Sequence, residues 1–343
     1  MRRSLLGSAP ILIAIAVIPA WAAVRQVPAD FPSIQAAINA STSGDIVEVA
    51  PGTYYEHLTM SSVSDGVRVR SLLGASATTI DGSGSATVVR ATSVGPSTSL
   101  EGFTIRNGYD SYAGGGLWIA SSALALIDCV IEANSAAAAG GAYVVNGSNP
   151  TFTRCTIRNN RALGGSGGGV YGDYAGGGTF SYCLIYANSC AAYGGGVTAW
   201  ESAHPVLDHC TITGNSAAIA GGNLYFTRAG GLAVTNSIVA QPAQGSNVEA
   251  QLNPGSASFG CSDLFVASGL NVVGLPSPVG SNSNFSADPL FCNAPVGDLG
   301  LFSSSPCASA NAGACHLVGA IDSQCGAVPT VQASWGGLKA RYR

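Results

Sequence analysis

The sequence predicts an all-β chain wound as a single-stranded right-handed parallel β-helix, a solenoid whose coils stack one on the next. Two motifs repeating in one register carry this expectation, together with abundant glycine and sparse charge. An apolar-x-x-Cys-x-apolar pattern recurs as Leu126-Ile-Asp-Cys129-Val-Ile131, Phe152-Thr-Arg-Cys155-Thr-Ile157, Phe180-Ser-Tyr-Cys183-Leu-Ile185 and Leu207-Asp-His-Cys210-Thr-Ile212. Phe103 holds the cysteine place one repeat earlier and Ser237 one repeat later, so the intervals run from 26 to 28 residues. Glycine clusters keep the same period: Gly114-Gly-Gly116, Gly140-Gly-Ala142, Gly167-Gly-Gly169, Gly194-Gly-Gly196 and Gly221-Gly-Asn223. Two unlike motifs in one register exclude chance similarity and indicate a repeat architecture.

A period of this length also suits leucine-rich repeats, which alternate a strand with a helical segment. Here β-branched residues, short alternating runs and glycine triplets leave no room for a helix within the repeat. Short strands pairing in parallel with the coils on either side, about 4.8 Å away, are the simpler reading. Stacking then explains the cysteines. A row along an axis cannot converge on a tetrahedral metal, and parallel Cβ vectors at that spacing suit a disulfide poorly. Cys129, Cys155, Cys183 and Cys210 are expected as buried thiols filling the interior. Five residues after each comes Asn134, Asn160, Asn188 or Asn215, a second row able to pass amide hydrogen bonds from coil to coil.

The chain begins with Arg2-Arg3, an apolar stretch to Ile18, Pro19 and the small-residue site Ala20-Trp-Ala22, the pattern of a secretory signal over 1–22. The solenoid with its N-terminal cap is expected over 23–240, irregular final coils and a cysteine-rich cap over 241–325, and a tail over 326–343. No later stretch is long and apolar enough for a membrane span. A secreted or surface-associated monomer is therefore expected. Charged residues make up 9% of the chain, with 14 basic against 18 acidic, which argues against a nucleic-acid partner. In an exported chain Cys292, Cys307, Cys315 and Cys325 read as two disulfides stapling the cap, with three connectivities open.

With these residues in view, the sequence resembles the bacterial right-handed β-helix repeat proteins of the pectate-lyase-like superfamily over roughly residues 25–325. Phe31-Pro-Ser-Ile-Gln-Ala-Ala-Ile-Asn39, Gly44-Asp-Ile-Val-Glu-Val49 and Pro51-Gly-Thr-Tyr-Tyr-Glu56 are similar to that family's opening segment. Within it Ser33 is suited to N-cap a short amphipathic helix carrying Ile34 and Ile38, which would close the end of the barrel. The resemblance implies the fold and leaves the activity open, because this scaffold hosts lyases, hydrolases, esterases and adhesins. Gly52-x-Tyr54-x-Glu56 matches a short motif of pectin methylesterases. The downstream aspartate segment of that family is absent, as are polygalacturonase signatures and the calcium aspartate cluster of pectate lyases.

Register alone places one polar and aromatic constellation on neighbouring coils. Tyr171, Asp173 and Tyr174 fall one coil from Thr198, Trp200 and Glu201, which fall one coil from Tyr225 and Arg228, with His204 on the same edge. Asp173, Glu201 and His204 are the candidate catalytic groups. Tyr171, Tyr174, Trp200, Tyr225 and Arg228 are the candidate substrate-binding groups. Adjacent carboxylates can approach the separation glycosidases use, and flanking aromatics can stack on sugars. The plainer reading makes these solvated loop residues with aromatics covering the barrel wall. Arg106, Glu132 and Arg158 read as a charge ladder on an outer face. Asp208 and His209, as strand neighbours, are expected to point to opposite faces. No metal site or cofactor is expected, with calcium entering only under an enzyme reading. The residues favour a noncatalytic scaffold for adhesion or for carbohydrate or protein interaction, with a polysaccharide lyase or glycoside hydrolase as the alternative.

Overall fold

The structure, a computed structural model, describes residues 22–326, so nearly all of the expected signal peptide and of the expected tail lies outside the described residues. The chain winds through parallel ladders: sheet I of ten strands from Val24–Val27 to Ala257–Gly260, sheet II of nine from Gly52–Tyr54 to Asp263–Phe265, and sheet III of nine from Leu58–Met60 to Val272–Val273. A shorter sheet IV of five strands, Tyr109–Ala113 to Ser216–Ala217, lies between II and III along the chain. One coil thus runs Ala125–Ile127 (I), Val130–Glu132 (II), Ser135–Ala138 (IV) and Ala142–Val145 (III) before returning to sheet I at Thr151–Thr153. Period-two alternation sends Leu126, Ile131 and Val144 inward, and the same positions in later coils hold Phe152, Ile157, Phe180 and Ile185. Phe152 and Phe180 stack at 4.5 Å with their planes 8° apart.

Two corner rows hold the coils in register. Between sheets I and II a left-handed residue (Asp128, Arg154, Tyr182, His209, Asn236, Cys261) points outward, and the following residue points in. Those inward residues include Cys129, Cys155, Cys183 and Cys210, all buried free thiols. Each thiol donates to a carbonyl of the preceding coil, as Cys183 does to Phe152 at 3.3 Å. Burial pushes the Cys155 and Cys183 thiols well above the usual range, and the hydrogen-bonded Cys155 thiol together with burial does the same to Cys129. Between sheets II and IV the asparagines form a continuous amide ladder. Asn160 Nδ2 donates to Asn188 Oδ1 at 3.0 Å and to the Ile131 carbonyl at 2.9 Å, while Asn160 Oδ1 accepts from Asn134 Nδ2 at 3.0 Å. Pro242 takes the next place after Asn215 and cannot continue the row. The ladder steps instead to Asn223, Asn247 and Asn271. Asn223 occupies the third place of its glycine cluster. At that place in an earlier coil, a Cβ on Gly169 would lie 3.0 Å from Asn188 Nδ2.

Both ends are closed. Helix α1 (Ile34–Ala40) buries Ile34, Ala37 and Ile38 over the first coil, and Ser33 Oγ accepts from the Ala36 N–H at 3.1 Å. Glu56, the acid of the esterase-like motif, accepts the N–H groups of Ile34 and Gln35 at 2.9 Å each, so it anchors this helix. At the far end Leu275 packs against the core and Asn284 donates to the Phe259 carbonyl. The segment from 286 to 325 forms a three-stranded sheet, Phe291–Asn293, Asp298–Phe302 and Ser323–Cys325. It packs against the outer side of sheet II through Ile238 and Ala240. The Ala320 N–H donates there to Thr211 Oγ1.

The disulfides correct one expectation. Cys292 pairs with Cys325, but Cys315 pairs with Cys261 and Cys307 stays a buried free thiol. Cys261 stands at the outward left-handed corner, where it meets the docked C-terminal segment, whereas Cys307 points beneath that segment to Asp263. The charge ladder is corrected too: Arg158 pairs with Glu132, but Arg106 pairs with Asp81 of the coil before it.

Candidate functional site

The middle position of each sheet III strand points outward, and there the register sets Arg90, Trp118, Tyr143, Tyr171, Thr198, Tyr225 and Glu249 in one row. The rings touch along it. Centroids are 5.1 Å apart for Trp118 and Tyr143 and 5.6 Å for Tyr143 and Tyr171. Two rings from the sheet IV side extend the contact. Tyr112 meets Trp118 and Tyr143 at 5.9 and 6.3 Å, and Tyr193 stacks on Tyr225 at 4.8 Å. Trp200, just past its strand, meets Tyr171 and Tyr225 from the other side. Tyr143 and Tyr225 are buried beneath their neighbours, Trp118, Tyr171, Tyr193 and Trp200 are half-buried, and Tyr112 and Tyr174 are exposed. The result is one aromatic band across five coils.

Beside the band the chain turns from sheet III to sheet I through pairs of left-handed residues, Tyr174/Ala175, Glu201/Ser202 and Arg228/Ala229. Backbone hydrogen bonds from Ala175 N–H to the Glu201 carbonyl and from Ser202 N–H to the Arg228 carbonyl stack these turns. Arg228 Nη1 lies 3.4 Å from Glu201 Oε1, and its guanidinium sits 5.0 Å over the Trp200 ring. At the other end of the band Arg90 pairs with Asp110 at 2.6 Å and covers Trp118 at 4.8 Å. Asp173 is buried; its Oδ2 accepts from the Tyr143 hydroxyl at 3.1 Å and its Oδ1 from the Tyr174 N–H at 2.9 Å. Burial pushes the Asp173 carboxyl up, Glu201 adds to that, and those two hydrogen bonds offset it in part. Burial, then Asp173, pushes the Tyr143 and Tyr171 phenols up, so both remain hydroxyl donors.

Tyr171, Asp173, Tyr174, Trp200, Glu201, Tyr225 and Arg228 therefore lie together. His204 does not join them. It is exposed, its Nδ1–H donates to the Ser202 carbonyl at 2.8 Å, and among the described residues it makes no hydrogen bond to either carboxylate. Tyr112, Trp118, Tyr143 and Tyr193 complete the band without having been singled out from sequence. The signal for two of them was present, since Trp118 and Tyr143 occupy the same repeat place as Tyr171. Asp208 and His209 share a surface, contrary to expectation, because His209 occupies a left-handed corner (φ 50°) that breaks the strand alternation. Its Nδ1 lies 3.0 Å from Asp208 Oδ2 and its ring stacks on Tyr182. Among the described residues no group of three or more His, Cys, Asp or Glu side chains is placed to hold a metal, and no helix is long and apolar enough to cross a membrane.

Residues 77–253 match a family described as a right handed beta helix region. The chain belongs to this right-handed β-helix family. No curated protein matches it. Among solved structures it is similar to pectate lyase Pel9A, at 13% identity and a TM-score of 0.56, over 89% of this chain and 96% of that one. It is also similar to a pectin methylesterase from Aspergillus niger, at 14% identity and a TM-score of 0.43, over 79% and 91% of the two chains. At these identities the likeness is one of fold, and the β-helix family carries many chemistries on that fold.

Proposed function

We propose that this β-helix is an extracellular carbohydrate-binding protein that holds a polysaccharide against the outer face of sheet III. The aromatic band carries the reading. Sugar rings present apolar C–H faces that stack on Trp and Tyr, and hydroxyls that pair with phenols, carboxylates and guanidinium groups. This face brings both kinds of partner together, with Tyr112 and Tyr174 exposed and Trp118, Tyr171 and Trp200 partly so. Two disulfides and the signal-like N-terminus support an oxidising, extracellular setting. Binding without cleavage is favoured because both Asp173 oxygens already accept hydrogen bonds and Glu201 is paired with Arg228.

One observation favours a second reading, cleavage of the bound glycan. A carboxyl whose proton affinity burial raises, one coil from a second carboxylate, resembles the arrangement of a glycosidase acid and its partner. Incubation with a panel of uronate and neutral glycans, with and without calcium, separates the two. Retention of a glycan by the wild type, lost in Trp200→Ala and Tyr174→Ala, with no new reducing ends or unsaturated products, is the expected result. Cleavage abolished by Glu201→Gln would establish the enzyme reading instead, and retention of no glycan would remove both.

A further inference from the structure

We infer that the ligand of the aromatic band is a neutral, extended glycan lying along the solenoid axis, about one sugar per coil. The inference rests on the carbohydrate-binding reading above and adds the charge class and direction of the chain. Charge argues for the class. The cations along the band are Arg90 and Arg228, and each is already committed, to Asp110 and to Glu201, while each covers a tryptophan face. Asp173 and Glu249 add further acidic groups to the same face, with Glu249 held by Ser246 and Gln251. Among the described residues of this surface no unpaired cation remains to meet a uronate carboxylate. The band is neutral to acidic, so an anionic chain finds repulsion where a neutral one finds aromatic rings and hydroxyls.

The ladder argues for the direction. Trp118, Tyr143, Tyr171 and Thr198 repeat at the coil spacing of about 4.8 Å, close to the rise of one residue in an extended β-linked glycan. Trp118 and Trp200 stand three coil steps apart, roughly 14 Å, with an arginine 4.8 Å over the first ring and 5.0 Å over the second. The span between them accommodates about three to four sugars. A chain lying across the axis would meet one ring and leave the others unused.

The test is calorimetry or affinity electrophoresis with cellohexaose and hexagalacturonate as probes, at low and high sodium chloride. Cellohexaose should bind with an affinity that salt leaves unchanged, because stacking is not screened as ion pairing is. Affinity should rise with chain length to about four or five sugars and then level off. Trp200→Ala should cost roughly ten-fold, the upper range for one aromatic contact. The double variant Asp110→Asn/Glu201→Gln, which frees both arginines, should gain salt-sensitive binding of hexagalacturonate. Preference of the wild type for hexagalacturonate, weakened by salt, would overturn the charge class while leaving carbohydrate binding intact. Affinity for cellobiose equal to that for cellohexaose would overturn the axial arrangement. Binding of neither hexasaccharide would overturn this inference, and failure across the wider glycan panel would remove the parent reading with it.

Discussion

Asp263 ties the docking of the C-terminal segment to pH. Its side chain is fully buried on the outer side of sheet II; Oδ1 accepts the Ala287 N–H at 3.0 Å and Oδ2 accepts the Cys307 thiol at 3.4 Å. Burial pushes its carboxyl from an ordinary 3.8 up to about 7, against the lowering effect of those two hydrogen bonds. Between pH 4 and 7 the folded chain therefore keeps a proton that the unfolded chain has released. Stability from this group is complete below about pH 4, falls as pH rises through the folded value, and levels off above it. A difference of about three pH units at about 1.4 kcal/mol each amounts to roughly 4 kcal/mol. Asp263→Asn keeps the shape and has no proton to lose. Urea unfolding of variant and wild type across pH 4 to 9 should show a stability difference that grows in the variant's favour by about 4 kcal/mol between pH 4 and pH 8. Carboxylates of opposite sign, such as Asp45, held down at about 2 by the Thr42 and Ala23 N–H groups and by Arg25, cancel in this difference. Alkylation of Cys307 gives a local readout, since the thiol becomes reachable only when the segment lifts; at pH 8 it should react more slowly in Asp263→Asn. A stability difference that stays constant with pH would refute the reasoning.

Further outcomes follow from the ladders and staples. Asn160→Ala removes four hydrogen bonds from the buried amide row and strands groups on Asn134, Asn188 and Ile131, so it should cost about 3 kcal/mol in urea unfolding. Cys155→Ser should stay within about 1.5 kcal/mol of wild type, because Ser237 and Ser262 already hold that row with hydroxyl hydrogen bonds to the Thr235 and Gly260 carbonyls. In the native wild type Cys129, Cys155, Cys183 and Cys210 should resist alkylation until denaturant is added. Cys261→Ser should liberate one newly titratable thiol at Cys315, whereas Cys307→Ser should leave both disulfides intact by mass after alkylation.

The interior of the solenoid was legible because stacking forces like onto like. Leu126, Phe152, Phe180 and Leu207 fill one inward row, and the cysteines and asparagines mark the corners on either side of sheet II. Sheet IV was not legible, because Ser135–Ala138, Arg161–Ala162, Ser189–Cys190 and Ser216–Ala217 carry small residues without a strong strand preference. Side docking of the C-terminal segment left a sign that went unread. The outward place of sheet II changes from Arg106, Glu132 and Arg158 to Tyr186, Thr213, Ala240 and Phe265. A face that loses charge along its length is a face that becomes covered. The disulfide partners could not follow from spacing, because pairing depends on which way each Cβ points once the segment has docked. Of the candidate site, register gave the neighbours of Asp173 and Glu201, but it could not show that Asp173 is spent on Tyr143 and the Tyr174 N–H.

The glycine clusters that reveal the repeat also border the aromatic band. Three residues before each of these sheet III strands the backbone is left-handed: Gly114, Gly167, Gly194 and Gly221 adopt it (φ +73° at Gly167, +64° at Gly221), and Ala139 takes the same place in the coil between Gly114 and Gly167 (φ 52°). A Cβ there would lie 2.4 Å from Tyr171 Cβ at Gly167, and 2.7 Å from Tyr225 Cβ at Gly221. At Gly167 and Gly221 the missing side chain leaves clearance for the outward ring of the same coil, whereas Ala139 carries a Cβ at that place and packs with Tyr143. The second glycine is excluded from carrying a Cβ for a different reason, since at Gly168 it would lie 2.5 Å from the Gly195 carbonyl oxygen of the next coil. Coil stacking alone accounts for the second and third places. At the first place the left-handed backbone itself favours glycine, and the atoms a Cβ would meet include the Leu117 and Leu224 carbonyl oxygens as well as outward side chains. That position lies beside the outer face of sheet III, and its occupation by Ala139 in the Tyr143 coil shows that the band tolerates a Cβ there, so the glycines at this place answer first to the backbone turn.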